Sequence, residues 1–328
     1  MSFSNIRRAG AVLVALFAAV GAQAETLRVS GIYAPGADIP ADIELVVIER
    51  FEGDLGQDLE FKLAQLLGDA RVGGAEWFDI ISPEALDNSV VEIETDDGTI
   101  VSEPLVADAQ LRGTVRSEVF ERQRDPKLQR DCIKRDNEDN CLEYREVRIE
   151  CFELTVRIDP RLALIDSGGR QIFTRNYPEV ETRNYCADDS SIPSILEISD
   201  RLVEKIAYIT RSALAPRNYS ENVRIMESRS GLVRADRSAF REAVKLTDDD
   251  PDAACRAFAA LEATNPEHLS VLFNIGLCWE ASKQYERAAD YYRKALAMDG
   301  DHDYPRRGMS RVRSFLRGAA YVEEREGR

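Results

Sequence analysis

Six cysteines carry most of the chemical potential of this sequence: Cys132, Cys141, Cys151, Cys186, Cys255 and Cys278. Thiols can ligate metal, act as nucleophiles or pair as disulfides. No C-x-x-C occurs, so neither a zinc site nor a thioredoxin-like redox pair is spelled out. An even count favours disulfides once the chain reaches an oxidising compartment. The other candidates are weaker. Only two histidines are present, His268 and His302, and they stand one repeat length apart at the ends of similar segments, which marks them as repeat-end residues. Asp299, Asp301 and Asp303 alternate like the first ligands of a Ca²⁺ loop. Tyr304, however, stands where that loop needs Gly, and Ser310 where it needs a bidentate Glu. Ser167-Gly168-Gly169 lies between two strand-like runs and reads as a hairpin turn, not a phosphate cradle. No phosphate-binding loop, G-x-S-x-G or H-E-x-x-H occurs, and carboxylates without a pocket to separate their pKa values make no acid–base pair. No catalytic residue, metal site or cofactor is assigned. The competing expectation is a hydrolase or solute-binding protein using an interdomain pocket, recognisable by polar groups converging in an apolar cavity.

The surroundings of these residues are acidic. In 328 residues, 43 Lys+Arg face 59 Asp+Glu, a net charge of −16, which argues against nucleic acid or an anionic membrane as partner. Residues 1–24 read as a secretory signal: Arg7 and Arg8, an apolar run from Ala9 to Val20, and an A-x-A site at Ala22-Gln23-Ala24. The run falls short of the roughly 20 residues of a spanning helix. Cleavage would remove two Arg and no acid, taking the net charge from −16 to −18. A periplasmic protein that does not span the membrane is expected.

The carboxy-terminal third carries a repeat. From Leu269 to His302 the chain follows the roughly 34-residue tetratricopeptide pattern, with Leu272, Ile275-Gly276, Trp279, Tyr285, Ala288, Tyr292 and Ala295-Leu296 at its positions. Gly276 and Ala288 are small where two antiparallel helices meet. Residues 235–268 fit as a degenerate repeat, with Ala254, Phe258, Leu261 and Pro266 in place but Glu242 and Lys245 at positions that want a small and an aromatic residue. Thr247 to Asp252 supplies an N-cap and a helix-starting Pro251. A final helix from Tyr304, rich in Arg (Arg306, Arg307, Arg311, Arg313, Arg317), caps the stack. The likeness to tetratricopeptide scaffolds implies a concave protein-binding groove lined by Ser270, Phe273, Leu277, Glu280 and Ala281, with Asp236, Ala239 and Ala243 from the weaker repeat. Two repeats are few for a free-standing array. The stack is therefore expected to lean on the preceding domain, or to be stapled by Cys255–Cys278, and a purely buttressing role is the alternative to partner binding.

Residues 25–228 alternate strand and helix signals, an α/β (α+β) pattern with a mixed sheet. Strands are predicted at Leu27–Tyr33, Ile43–Glu49 and Trp77–Ile81, helices at Asp54–Gly68 and Ser191–Leu214, and a hairpin around Asp97-Gly98. Long strands Ala109–Phe120 and Glu143–Asp159 flank a charged excursion, Glu121–Asn140, read as a solvated loop of a hairpin insertion. Leu162–Asp166 turns into Gln171–Arg175, and Val223–Met226 is a candidate closing strand. With four cysteines in this domain and two in residues 229–328, Cys255–Cys278 follows from the division. Cys132–Cys141 with Cys151–Cys186 is preferred among the rest, other pairings staying open.

Leu45-Val46-Val47-Ile48-Glu49-Arg50-Phe51, Trp77–Ile81, Ala107–Gly113 and Leu164–Ile172 resemble pieces of the α/β domain of the CsgG-like group. That group includes TolB amino-terminal domains and lipoprotein activators of penicillin-binding proteins. The resemblance implies a non-catalytic envelope domain that docks other cell-envelope proteins; the cysteine-bearing insertion and the lack of a lipobox Cys depart from it. The expectation is thus an exported periplasmic scaffold binding envelope proteins, with no small-molecule substrate.

Overall fold

The computed structural model describes residues 25–94 and 99–327. The signal expected at 1–24 and the turn expected at Asp97-Gly98 lie outside them. In chain order the elements are β1 (Thr26–Tyr33), β2 (Leu45–Ile48), α1 (Gly56–Gly68), β3 (Arg71–Val72), β4 (Ala75–Glu76), β5 (Asp79–Ile81), α2 (Pro83–Asp87), β6 (Val90–Glu94), β7 (Ile100–Pro104), β8 (Ala109–Arg135), β9 (Cys141–Asp166), β10 (Gln171–Arg175), β11 (Glu179–Cys186), α3 (Ile195–Leu214) and β12 (Arg217–Arg224). Five helices follow: α4 (Arg237–Asp249), α5 (Pro251–Glu262), α6 (Leu269–Ala281), α7 (Tyr285–Met298) and α8 (Asp303–Glu326). An α/β domain with a mixed sheet precedes an all-α repeat region.

The main sheet runs β10-β9-β8-β2-β5, with β11 also on β9. β2 is parallel to β5 and β8; the remaining pairs are antiparallel. Apolar residues of α1 (Leu59, Leu63, Leu67) and α3 (Ile198, Leu202, Ile206) cover one face against Val46, Leu111, Ile158 and Leu164. Ser194 caps α3 by accepting from the Glu197 N–H at 3.3 Å. Across β8 and β9, Thr114, Arg116 and Glu118 stand opposite Arg161, Asp159 and Arg157 on the uncovered face. A sheet with helices on one side keeps its other side polar in this way.

The excursion Glu121–Asn140 corrects the sequence expectation. Most of it is strand, and only residues around Asp136–Asn140 turn. At about 3.3 Å per residue, the 27-residue β8 and its partner form a hairpin arm far longer than the sheet is wide. Cross-strand ion pairs such as Arg122–Glu153 (2.7 Å) run along it. A strand solvated on both faces has no apolar alternation, so its sequence reads as a loop. The two strands expected at Glu143–Asp159 and Leu162–Asp166 are one, β9. β11 pairs with it up to Ile158 and β10 from Leu162, so Pro160, with no N–H to donate, falls in the gap between those partners.

Three disulfides join Cys132–Cys141, Cys151–Cys186 and Cys255–Cys278. The first closes the arm near its tip, the second ties β9 to β11 at residues directly opposite in register, and the third links α5 to α6. β1 and β12 stand apart from the main sheet as a two-stranded ribbon. Leu27 and Val29, with Ile225 and Met226 just after β12, belong to the helical core together with Phe240, Phe258, Phe273 and Tyr292.

Candidate functional site

Helix α6 lies at the centre of the repeat region. Its sequence, Leu-Ser-Val-Leu-Phe-Asn-Ile-Gly-Leu-Cys-Trp-Glu-Ala, has almost no polar face, and a helix apolar all round is covered all round. On one side α7 packs closely: a Cβ at Gly276 would meet the Tyr292 ring at 2.9 Å. On the other side lies the chain's own ribbon. The Asn274 side chain holds the backbone of Met226 at both ends, Oδ1 accepting from its N–H and Nδ2 donating to its carbonyl, each at 2.9 Å. The Tyr285 hydroxyl donates to the Ser30 carbonyl at 2.8 Å.

α8 closes the same concavity. Phe315 packs over Gly31, where a side chain would overlap its ring, and a Cβ at Gly318 would collide with the Ile32 carbonyl. Tyr33 and Tyr219 stack at 4.6 Å between the centroids, with the Arg217 guanidinium 4.6 Å from the Tyr33 ring. Beneath them lies a buried polar knot. Glu280, fully buried, receives Arg311 Nη2 at 2.7 Å, Arg311 Nε and the Tyr292 hydroxyl. Burial, then the neighbouring Glu280 carboxylate, pushes the Tyr292 phenol well above its ordinary pKa. Hydrogen bonding to Glu221, with burial, raises that of Tyr219 to about 12.

The expected groove residues can now be placed. Ser270, Phe273, Leu277 and Glu280 are buried, Ala281 is half-buried, and Ala243 is buried in α4. Asp236 accepts from Thr264 and Asn265, while Ala239 is exposed. The concave face is occupied from within. The signal for this was the apolar character of α6 on every side. His268 and His302 both cap helices, accepting through Nδ1 from Val271 and Tyr304 N–H at 3.4 Å. His268 also contacts the Ser230 carbonyl through Nε2 at 2.8 Å, so that nitrogen carries the proton. Asp303 is engaged by Arg306 and Arg307, and among the described residues no cluster of His, Cys, Asp or Glu is placed to hold a metal ion.

A cleft of about 790 Å³ lies on the uncovered face of the sheet and is lined by Arg116, Arg157, Asp159 and Arg161 among others. Arg157 and Asp159 pair bidentately at 2.7 and 2.8 Å. Such a surface can bind charged groups but presents no nucleophile with its base. No described helix is long and apolar enough to cross a membrane.

The tetratricopeptide repeat family matches residues 270–302. No curated protein matches the chain. Among solved structures, a homologue of a neuraminyllactose-binding hemagglutinin from Helicobacter pylori is 11% identical, with 55% of this chain and 87% of that one covered and a TM-score of 0.26. A PelC point-variant dodecamer from Paraburkholderia phytofirmans is 15% identical, with 56% and 98% covered and a TM-score of 0.24. Likenesses this distant carry no argument about fold or function.

Proposed function

We propose that this protein is an exported, periplasmic, non-catalytic scaffold of the cell envelope, in which a CsgG-like α/β domain is braced by the helical repeat region. The tetratricopeptide repeat at 270–302 carries the reading, since such repeats are interaction modules. Three disulfides are consistent with an oxidising compartment. The ribbon and α8 fill the concave face that would otherwise take a partner segment, so envelope partners meet the surfaces left outside it. The most prominent is the hairpin arm, which exposes Leu128, Leu142 and Tyr144.

Two measurements test this. Amino-terminal sequencing of the exported protein should give Glu25 as its first residue; retention of the leader in the cytoplasm refutes export. A photo-crosslinking residue at Leu128 or Tyr144 in the living cell should give discrete adducts with other envelope proteins. Absence of any such adduct at both positions, and at exposed positions of α4 and α7, overturns the scaffold role.

A further inference from the structure

Interrupted pairing along β9 leaves a notch in the main sheet. β11 pairs with β9 up to Ile158 and β10 from Leu162, and the cleft of about 790 Å³ opens there, lined by residues of β8, β9 and β10 and by Glu52 just after β2. Strand register decides which side chains share it. Glu52 bridges Thr114, and Thr114 stands opposite Arg161, so the three form one row across neighbouring strands on the same face. Neighbouring strands lie about 4.8 Å apart, which puts the Glu52 and Arg161 backbones about 10 Å from one another with the shorter Thr114 between them.

Most charges around this row are already balanced. Arg157 holds Asp159 through two hydrogen bonds, at 2.7 and 2.8 Å. Arg116 stands opposite Asp159 and Glu118 opposite Arg157, so these four alternating charges offset one another. Beyond them, Glu49 takes Arg112 at 2.9 Å, Asp166 takes Arg170 at 3.0 Å and Glu179 takes Arg175 at 2.8 Å. Glu52 and Arg161 differ. Both are exposed and line the same cleft, yet they do not reach each other and join no ion pair among the described residues. The Arg161 end holds a further donor in Arg175, which is 9% exposed and lines the cleft, its Nε shielded from solvent and donating to nothing. A buried donor without an acceptor is costly, so an anionic oxygen brought to this end is favoured.

We propose that this cleft binds a short zwitterionic ligand, a peptide-like chain with a free amine and a free carboxylate. Its ammonium pairs with Glu52 and its carboxylate with Arg161, while Thr114, Gln171 and Asn176, which also line the cleft, meet the amide groups between. An extended chain spans at most about 3.3–3.6 Å per residue, so about three residues match the row. A simple anion would use only one end of it. This site goes beyond the scaffold reading and does not depend on it.

The test is an NMR titration of the purified exported protein with trialanine at low salt, where charge contacts are least screened. Trialanine should bind with a Kd of about 1 mM or tighter. N-acetyl-trialanine lacks the ammonium and trialanine amide lacks the carboxylate, and each should bind about ten-fold more weakly, the worth of one charged contact. Glu52→Gln and Arg161→Gln remove one end of the row each, at exposed positions, with circular-dichroism melts to establish folding. Glu52→Gln should bind trialanine no better than it binds the N-acetyl form, and Arg161→Gln should bind trialanine no better than it binds the amide. No binding of trialanine to the wild type at about 10 mM, blocked peptides that bind the wild type as trialanine does, or variants that discriminate as the wild type does would each overturn the proposal. If either variant fails to fold, the blocked peptides on the wild type decide alone.

Discussion

The helical core and the distal hairpin arm use the same kinds of residue to opposite effect. In the core, Glu280, Arg311, Tyr292 and Asn274 are buried and fully engaged. Along the arm, Arg130–Glu146 and Arg135–Asp139 are surface pairs with most of each side chain in water. Exposed ion pairs contribute little, whereas a buried charge that loses its partner is strongly destabilising. The core is therefore specified by a few polar contacts that tolerate no vacancy, and the arm by many that do.

The largest expected effect is at Glu280. Glu280→Ala leaves Arg311 charged and buried, and unfolding titrations should show a loss of about 3–5 kcal/mol. A loss below about 1 kcal/mol would mean that water enters the knot and that the contrast with the arm is false. Replacing Cys255 and Cys278 together by Ser should cost about 3 kcal/mol in the same assay. Asn274→Ala strands the Met226 N–H and carbonyl, at about 1–3 kcal/mol. Removing Cys132–Cys141 should shift the global transition by less than about 0.5 kcal/mol, and only arm amides should exchange faster. A global shift as large as that from Cys255–Cys278 would show that the arm folds as one unit with the core.

Proton linkage sharpens the same contrast. Tyr219 and Tyr292 hold their protons more tightly in the folded protein. Their contribution is whole below the unfolded value of 10.0 and, for Tyr219, lost as pH rises through about 12. In the sheet domain, backbone N–H donation from Arg170 lowers the pKa of Asp166, and the Arg201 side chain lowers that of Glu181. Their contribution is present above the unfolded values of 3.8 and 4.5 and lost as pH falls through the lower folded ones. The two tryptophans report separately, Trp77 in the sheet domain and Trp279 in α6. Single-tryptophan variants should show Trp279 responding first to alkali and Trp77 first to acid. A single coincident transition at both extremes would dissolve the distinction.

Local pattern carried part of this architecture. The repeat was legible because its small and aromatic positions are dictated by helix contact, as the fit of Tyr292 against Gly276 shows. Helices α1 and α3 followed from leucine and isoleucine spacing, and the cap at Asp250 from its Asp-Pro. The filled concavity was not legible as such. Thr26 pairs with Arg224 across most of the sheet domain, and no window of sequence encodes a register that long. The outgoing half of the arm, Glu121–Arg135, failed for a different reason: a strand without a buried face lacks the alternation by which strands are recognised, whereas the return strand from Glu143 was legible. The hairpin β6–β7 was legible as a hairpin, but the exposure of its apolar residues Val91, Ile93 and Val101 appears only once its neighbours are known.

The ribbon has a topological consequence. β1 leaves the helical core at Tyr33 and β12 re-enters it at Arg217, and these two residues face one another in register. The α/β domain is thus a parenthesis within the helical one, held open at a single pair of strand ends. Two neighbouring ends are what a domain insertion needs. The helical domain cannot complete its core until the last helix has been synthesised, since its first strand waits through the whole inserted domain for its partner. A short turn joining Tyr33 directly to Arg217 would make the ribbon an ordinary hairpin. The helices would then be left to fold alone, with Tyr321 and Arg325 at the far end of α8, which now pack on Trp77, as the surface laid bare.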